Sequence, residues 1–172
     1  SWTMTKPEEL PKRKEHRLAG YDYSKSGYYF VTICTENRKP LFWKNVGADI
    51  IRPKNNDTDS FLSEYGKFVK ESIENISEHY AGVFVDRYCI MPNHVHLIIG
   101  ITSKENGRMI SAPTLSRIIG QMKRFASKKC EKSIWQKSFY DEIIRNQAAY
   151  DEISKYIFEN PMKWEEDELF TD

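Results

Sequence analysis

The chain has few cysteines and no long apolar run. Its three cysteines, Cys34, Cys89 and Cys130, are widely spaced and form no C-x-x-C pair. This odd-numbered set predicts reduced, mostly buried thiols and argues against a disulfide framework or a zinc finger. No apolar run approaches the roughly 20 residues that a membrane-spanning helix needs, and residues 1–17 contain no apolar signal core. We therefore expect a cytoplasmic protein with no membrane partner.

The chain also lacks an excess of charge of either sign. The 26 lysines and arginines nearly balance the 25 aspartates and glutamates, so net charge alone does not indicate a polyanionic partner. The 40% hydrophobic and 30% charged residues are typical of a globular domain, and 172 residues fit one domain with a sizeable core. We predict a polar N-terminal arm over 1–20, one domain over 21–165 and an acidic tail over 166–172.

The order of the apolar patterns predicts a β-α-β-β-α-β chain followed by an extra helix. Aromatic and β-branched runs indicate strands, and apolar residues at spacings of three and four indicate helices. This α+β order is typical of the ferredoxin-like arrangement, an antiparallel sheet with two helices on one face. The predicted strands are 28–35, 82–92, 94–101 and part of 134–146, and the predicted helices are 61–80, one from Thr114 and one from about Ala148 to Asn160, before Pro161.

Two of the four histidines, His94 and His96, flank a single valine at the start of a predicted strand. Successive side chains on a strand point to opposite faces, so both imidazoles should share one face and Val95 the other. Two converging imidazoles form half of a metal site, which carboxylate, amide or water oxygens would complete. The pair alone is more typical of two hydrogen-bonded histidines on a solvent-facing or packed face, and the pattern leaves both interpretations open.

Four longer phrases resemble one family. In chain order they are RLAGYDYSKSGYYFVTICTENRKPLF, YCIMPNHVHLII, WQKSFYDEIIRN and YDEISKYIFENPMKW. Together they resemble the REP-associated tyrosine transposases, a branch of the single-tyrosine HUH transposases in which U is a bulky apolar residue. The resemblance covers about 12–165, with an interruption, predicted as a flexible insertion, around 46–59. It implies a nuclease and strand transferase that acts on single-stranded DNA at the hairpin ends of repeated elements, as a monomer or a homodimer.

The resemblance also implies roles for four residues. His94 and His96 match the ligands of a divalent metal, Mg²⁺ or Mn²⁺, Asn160 matches a third, amide ligand, and Tyr156 matches the nucleophile. Tyr156 and Asn160 are four residues apart on the predicted last helix, so they share one helical face. A tyrosine hydroxyl has a pKa near 10 and needs a cation that polarises the phosphate. The implied product is a 5′-phosphotyrosine and a free 3′-hydroxyl.

Without the resemblance, Tyr140, Tyr150 and Tyr156 remain alternative nucleophiles, because all three lie in the C-terminal phrases. Tyr150 would lie about 120° around the helix from Tyr156, so the two cannot face one phosphate equally. Tyr140 falls in the last predicted strand, where packing is its expected role, and packing is also expected of Trp135.

Basic residues cluster on the second long helix and in the N-terminal arm. Such patches neutralise phosphates and fix position rather than sequence, although any single lysine on a helix is equally compatible with a solvated face. The predicted DNA-binding residues are Arg13, Arg17, Arg117, Lys123, Arg124, Lys128 and Lys129.

Three other functions remain open on the sequence. An RRM-like sheet could bind nucleic acid without cutting it, although the RRM aromatic signature is absent. A plasmid relaxase or rolling-circle replication initiator would share the HUH motif, but those enzymes are typically larger and many carry paired tyrosines. An unrelated metal hydrolase could use the histidine pair with carboxylates. Only a tyrosine HUH enzyme would form a covalent protein–DNA product.

Overall fold

A computed structural model describes residues 26–46, 49–50, 59–102, 104–105, 108–109, 113–166 and 169. The predicted N-terminal arm over 1–20, with Arg13 and Arg17, lies outside the described residues, as do most of the insertion over 46–59 and most of the acidic tail. No helix within the described ranges combines the length and the apolar character that a membrane span requires.

The centre of the molecule is a four-stranded antiparallel sheet whose spatial order is β2-β3-β1-β4. This is the strand order of the ferredoxin-like arrangement, so the predicted α+β fold is confirmed. The strands are β1 (Ser26–Cys34), β2 (Val83–Met91), β3 (His94–Thr102) and β4 (Tyr140–Ile143), and the helices are α1 (Glu64–Glu74), α2 (Ile76–His79), α3 (Leu115–Cys130) and α4 (Gln147–Glu159). Short 3₁₀ segments span Glu36–Arg38 and Asn160–Glu166, and two-residue ladders pair Asn45–Val46 with Asp49–Ile50 and Lys104–Glu105 with Arg108–Met109.

The structure divides the helix predicted over 61–80 into two shorter helices, α1 and α2. The helical segment begins after Ser63, whose hydroxyl accepts a hydrogen bond from the amide of Gly66, and it is interrupted at Asn75 between α1 and α2. Gly66 lies so close to the preceding loop that a Cβ would stand 2.2 Å from the carbonyl oxygen of Phe42. This close approach requires glycine and fixes the start of α1 against the loop after β1.

The two faces of the sheet are covered by different helices. On one face, Tyr88 of β2, which pairs with Leu97 of β3, donates a hydrogen bond to Glu74 of α1 at 2.9 Å, and α3 packs beside α1. On the other face, the ring of His96 contacts Tyr156 of α4. Alternation along β3 therefore directs His94, His96 and Ile98 towards α4, and Val95, Leu97 and Ile99 towards α1 and α3.

The three cysteines form no disulfide, and their predicted burial is confirmed. Cys34 and Cys89 lie on β1 and β2. Cys130 ends α3, where burial raises the pKa of its thiol to about 11. All three therefore contribute to the interior of the domain.

Candidate active site

His94 and His96 share one face of β3, as the strand periodicity predicts, and both are buried. Their Nε2 atoms lie 3.1 Å apart, and their ring planes meet at 73°. The two imidazoles therefore converge on a common point through the same ring nitrogen.

The outer nitrogen of each imidazole is held by a neighbouring polar side chain. Nδ1 of His94 lies 2.7 Å from Oδ1 of Asn93, and Nδ1 of His96 lies 2.8 Å from Oγ1 of Thr32 on β1. A carbonyl oxygen only accepts, so Asn93 selects the His94 tautomer with hydrogen on Nδ1 and a lone pair on Nε2. A threonine hydroxyl both donates and accepts, so Thr32 is compatible with either tautomer of His96.

The spacing of the two Nε2 atoms fits a shared divalent ion. Two imidazole nitrogens about 2.1 Å from one ion, at a right angle as in octahedral coordination, would stand about 3.0 Å apart, close to the 3.1 Å of the pair. Within the described ranges, no third histidine, cysteine or carboxylate completes a metal-binding group with them. The remaining donors would therefore be amide, water or phosphate oxygens, which suit Mg²⁺ and Mn²⁺.

Asn160 has the chemistry of such an amide donor. It follows α4 directly, is buried, and its Nδ2 atom has no hydrogen-bond partner. A buried amide with an unsatisfied edge is costly, and its oxygen and nitrogen exchange places by rotation about one bond. The 3₁₀ segment that begins at Asn160 also carries Trp164, whose ring centroid lies 6.1 Å from that of His94. The predicted end of the last α-helix before Pro161 agrees with this arrangement.

Tyr156 lies on the side of α4 that faces the histidines. The side chain of Asn146 caps the helix by accepting a hydrogen bond from the amide of Ala149 at 2.8 Å. Two turns later, the half-buried ring of Tyr156 stands 5.2 Å from the ring of His96 and 6.3 Å from that of Phe30. The structure thus brings the predicted nucleophile and the two predicted ligands together, and their catalytic roles remain predictions.

Tyr150, one of the alternative nucleophiles, is turned into the core. It is 2% exposed, and its hydroxyl donates a hydrogen bond to Asp86, which lies at a β-bulge of β2. Burial, reinforced by the hydrogen bond to this carboxylate, raises the pKa of Tyr150 to about 12. A buried hydroxyl that resists deprotonation is a poor nucleophile.

The packing role predicted for Tyr140 is wrong. Its side chain is 64% exposed, because β4 forms an edge of the sheet and all four of its residues are exposed. Tyr140 pairs with Thr32 across β1 and β4 and so shares the face of the histidines. Trp135, by contrast, is buried and packs on Phe42, as predicted.

The predicted DNA-binding residues of α3 divide into two groups. Arg117, Arg124 and Lys128 are exposed, and their spacing of seven and four places them in one stripe along the helix. Lys123 instead donates to the carbonyl of Gln136 at 2.6 Å, and burial lowers the pKa of its ammonium. Because α3 packs beside α1, this stripe does not lie on the face that carries the histidines.

Lys129 lies over an aromatic ring on the same helix. Its Nζ atom stands 5.7 Å from the ring centroid of Phe125, within the range of a cation–π contact. The side chain remains exposed, so this contact leaves it accessible to a phosphate.

Sequence reasoning missed the residues that hold the imidazoles. In the sequence, Pro92-Asn93 is a turn signal, and Thr32 is one of several β-branched residues in a predicted strand. For Asn93 a signal was present, since an amide directly before an H-x-H pair is in reach of the first imidazole. For Thr32 there was none, because its contact depends on the register of β1 with β3.

Comparison with known proteins places the chain in a family. The family model described as "Transposase IS200 like" matches residues 23–160. A Haemophilus influenzae protein of uncharacterized function is 31% identical over 93% of this chain and 94% of its own length. Another protein of the same organism, assigned as a REP-associated tyrosine transposase, is 26% identical over 83% of this chain and 74% of its own.

A solved structure supports the fold. It is that of a REP-associated tyrosine transposase bound to a REP hairpin, and it is similar to 81% of this chain and 68% of its own, with a TM-score of 0.57 and 20% identity. Since the family model covers most of the chain, including the histidine pair and Tyr156, the chain belongs to the IS200-like transposase family.

Proposed function

We propose that this transposase is a metal-dependent endonuclease and strand transferase that cuts single-stranded DNA at hairpin ends through a 5′-phosphotyrosine. The observation that carries the proposal is the cluster on one sheet face. The Nε2 atoms of His94 and His96 lie 3.1 Å apart, and the ring of Tyr156 stands 5.2 Å from that of His96. This arrangement would let one phosphate contact both the proposed nucleophile and the proposed cation.

The proposed step exchanges one phosphate ester for another. Oη of Tyr156 attacks the scissile phosphorus, the Oη–P bond forms, and the bond from phosphorus to the 3′ oxygen breaks. The phenolic proton passes to solvent, and the departing 3′ oxygen takes up a proton to give a free hydroxyl. The phosphotyrosine ester keeps the energy of the broken phosphodiester bond, so the reverse attack by a 3′-hydroxyl rejoins strands without ATP.

The cation site supplies the activation that a tyrosine needs at neutral pH. Mg²⁺ or Mn²⁺, held by His94, His96 and the amide of Asn160, would polarise the scissile phosphate and stabilise its developing charge. The residues themselves orient the reacting groups. Tyr156 is fixed between His96 and Phe30, and the buried imidazoles keep their ligating nitrogens converged.

Two features support hairpin DNA as the substrate. The solved relative is bound to a REP hairpin, and α3 carries an exposed stripe of Arg117, Arg124 and Lys128. This stripe lies on the opposite side of the sheet from the histidines. There it would contact the phosphates of the hairpin's duplex stem, while the single-stranded flank reaches the histidines. Phosphate contacts of this kind fix the position of the DNA without reading its sequence. Either a monomer or a homodimer is consistent with this arrangement.

The test is incubation with a hairpin-bearing single-stranded oligonucleotide and Mn²⁺, followed by a denaturing gel. The parent protein should give a covalent protein–DNA band that a chelator abolishes. His96→Ala should lose the band and keep a melting temperature close to that of the parent. His79→Ala, which removes an exposed histidine of α2, is the matched control and should behave like the parent.

Two outcomes would contradict the proposal. A normal covalent band from His96→Ala would remove the metal site from the mechanism. Binding of the oligonucleotide by the parent without any covalent band, in Mg²⁺ or in Mn²⁺, would favour a nucleic-acid-binding module that does not cut.

A further inference from the structure

We infer that Asn93 is a positioning residue, whose amide fixes the tautomer and direction of His94 and ties the C-terminal segment to the site. The inference rests on the proposed function only in taking the Nε2 atoms as the ligating atoms. Asn93 lies in the turn between β2 and β3 and is fully buried.

The amide of Asn93 is held so that its orientation is unambiguous. Its Nδ2 donates to the carbonyl of Leu169 at 2.6 Å and to the carbonyl of Arg38 at 3.3 Å. Both partners are acceptors, so the nitrogen must face them and Oδ1 must face Nδ1 of His94, at 2.7 Å. Rotation of the amide would place an oxygen against two carbonyl oxygens, which is unfavourable in a buried site.

The backbone around Asn93 is held as firmly as its side chain. Its carbonyl accepts hydrogen bonds from the backbone amide of Thr35 at 2.9 Å and from the hydroxyl of Thr35 at 3.1 Å. The loop that supplies the Arg38 carbonyl has left-handed backbone angles at two successive residues, with φ of 55° at Asn37 and 52° at Arg38. Asparagine adopts such angles readily, whereas arginine adopts them mainly where the surroundings impose them. The loop is thus shaped to present that carbonyl to the amide.

A fixed tautomer determines what His94 can bind. A neutral imidazole carries its hydrogen on either nitrogen, and only the form with hydrogen on Nδ1 has a lone pair on Nε2. Partners of this kind commonly orient metal-binding histidines, and their removal typically lowers metal affinity by 10- to 100-fold. Asn93 supplies that function for His94, while Thr32, whose hydroxyl accepts either tautomer, leaves His96 less constrained.

The test measures the tautomer directly, in protein without metal or DNA. NMR of protein labelled with ¹⁵N-histidine should show hydrogen on Nδ1 of His94 in the parent and a shift towards Nε2–H in Asn93→Ala. Asn93→Ala should also weaken Mn²⁺ binding at least tenfold. Asn45→Ala, at an exposed position, is the matched control and should leave both readouts unchanged.

Asn93→Asp separates the effect of Asn93 on the His94 tautomer from its contact with the C-terminal segment. A carboxylate still accepts from Nδ1 of His94 but cannot donate to the carbonyls of Arg38 and Leu169. We therefore expect the parent tautomer together with faster hydrogen exchange in the C-terminal segment that follows Trp164. If neither variant folds, the parent still tests the inference, because it needs no substitution for its His94 tautomer to be measured.

Hydrogen on Nε2 of His94 in the parent would overturn the inference, and so would either of two results in the variants. One is an unchanged His94 tautomer and unchanged Mn²⁺ affinity in Asn93→Ala, and the other is hydrogen on Nε2 of His94 in Asn93→Asp. Failure of the proposed function is distinguishable, because it would appear as a parent protein that holds the predicted tautomer yet forms no covalent DNA product.

Discussion

Replacing Tyr156 and Tyr150 separately by phenylalanine should separate catalysis from stability. Tyr156→Phe removes one oxygen from a half-buried ring and keeps the contacts of that ring with His96 and Phe30. Its unfolding free energy should change by about 1 kcal/mol or less, because the change removes a single hydroxyl and leaves the ring packed. The covalent DNA product should nevertheless disappear, because the attacking atom is absent.

Tyr150→Phe should show the opposite pattern. The Tyr150 hydroxyl donates to the carboxylate of Asp86 from a ring that is 2% exposed. A hydrogen bond to a charged group contributes about 1.5–3 kcal/mol, so we expect a loss of about 2 kcal/mol in unfolding free energy. For a domain of this size the melting temperature should fall by about 4–8 °C. The covalent product should form at the parent level wherever the protein remains folded.

The assay combines a denaturing gel, peptide mapping of the trapped product and thermal melts. Tyr140→Phe is the control for both the covalent product and the melting temperature, because Tyr140 is exposed on the edge strand. A DNA-bearing peptide that contains Tyr140 or Tyr150 would refute the assignment of Tyr156. So would a covalent product from Tyr156→Phe.

Three further predictions concern charge and backbone. The pKa of Tyr150 is raised from 10.0 to about 12, so the fold favours its neutral form, and stability present below pH 10 should be lost as pH rises towards 12, by up to about 3 kcal/mol. Urea melts should show a smaller loss in Tyr150→Phe than in the parent, because Tyr88, whose pKa is also raised, remains in both. Lys123→Ala should lower the melting temperature, because it removes the hydrogen bond to the Gln136 carbonyl. Lys128→Ala should leave the melting temperature unchanged. It should instead reduce the salt dependence of hairpin binding by the amount expected for the loss of about one phosphate contact. Glu131→Gly should raise the unfolding free energy by up to about 1 kcal/mol in urea melts, because the residue ends α3 with a φ of 58°.

Local patterns were sufficient to predict most of the fold. The strand predicted over 94–101 is His94–Thr102, and the last helix, predicted from about Ala148 to Asn160, is Gln147–Glu159. Both segments carry a strong periodicity and clear end signals. The shared face of His94 and His96 follows from the same local rule, since strand alternation does not depend on what the sheet packs against.

Other features depend on contacts between distant segments, which a local pattern does not contain. The exposure of Tyr140 follows from the position of β4 at an edge of the sheet. The structural role of Lys123 requires the carbonyl of Gln136, 13 residues away. The amide of Asn93 is held by carbonyls 55 and 76 residues away. Sequence patterns give the residue type at such positions but not the partner.

The edge strand has a consequence for handling the protein. The outer side of β4 pairs with no other strand among those described, so its backbone groups could template a second chain. The middle of the strand carries two exposed acidic residues, Asp141 and Glu142, whose like charges oppose pairing with an identical strand. Replacing both with threonine or valine would leave an uncharged edge, and the purified protein should then aggregate at concentrations that the parent tolerates.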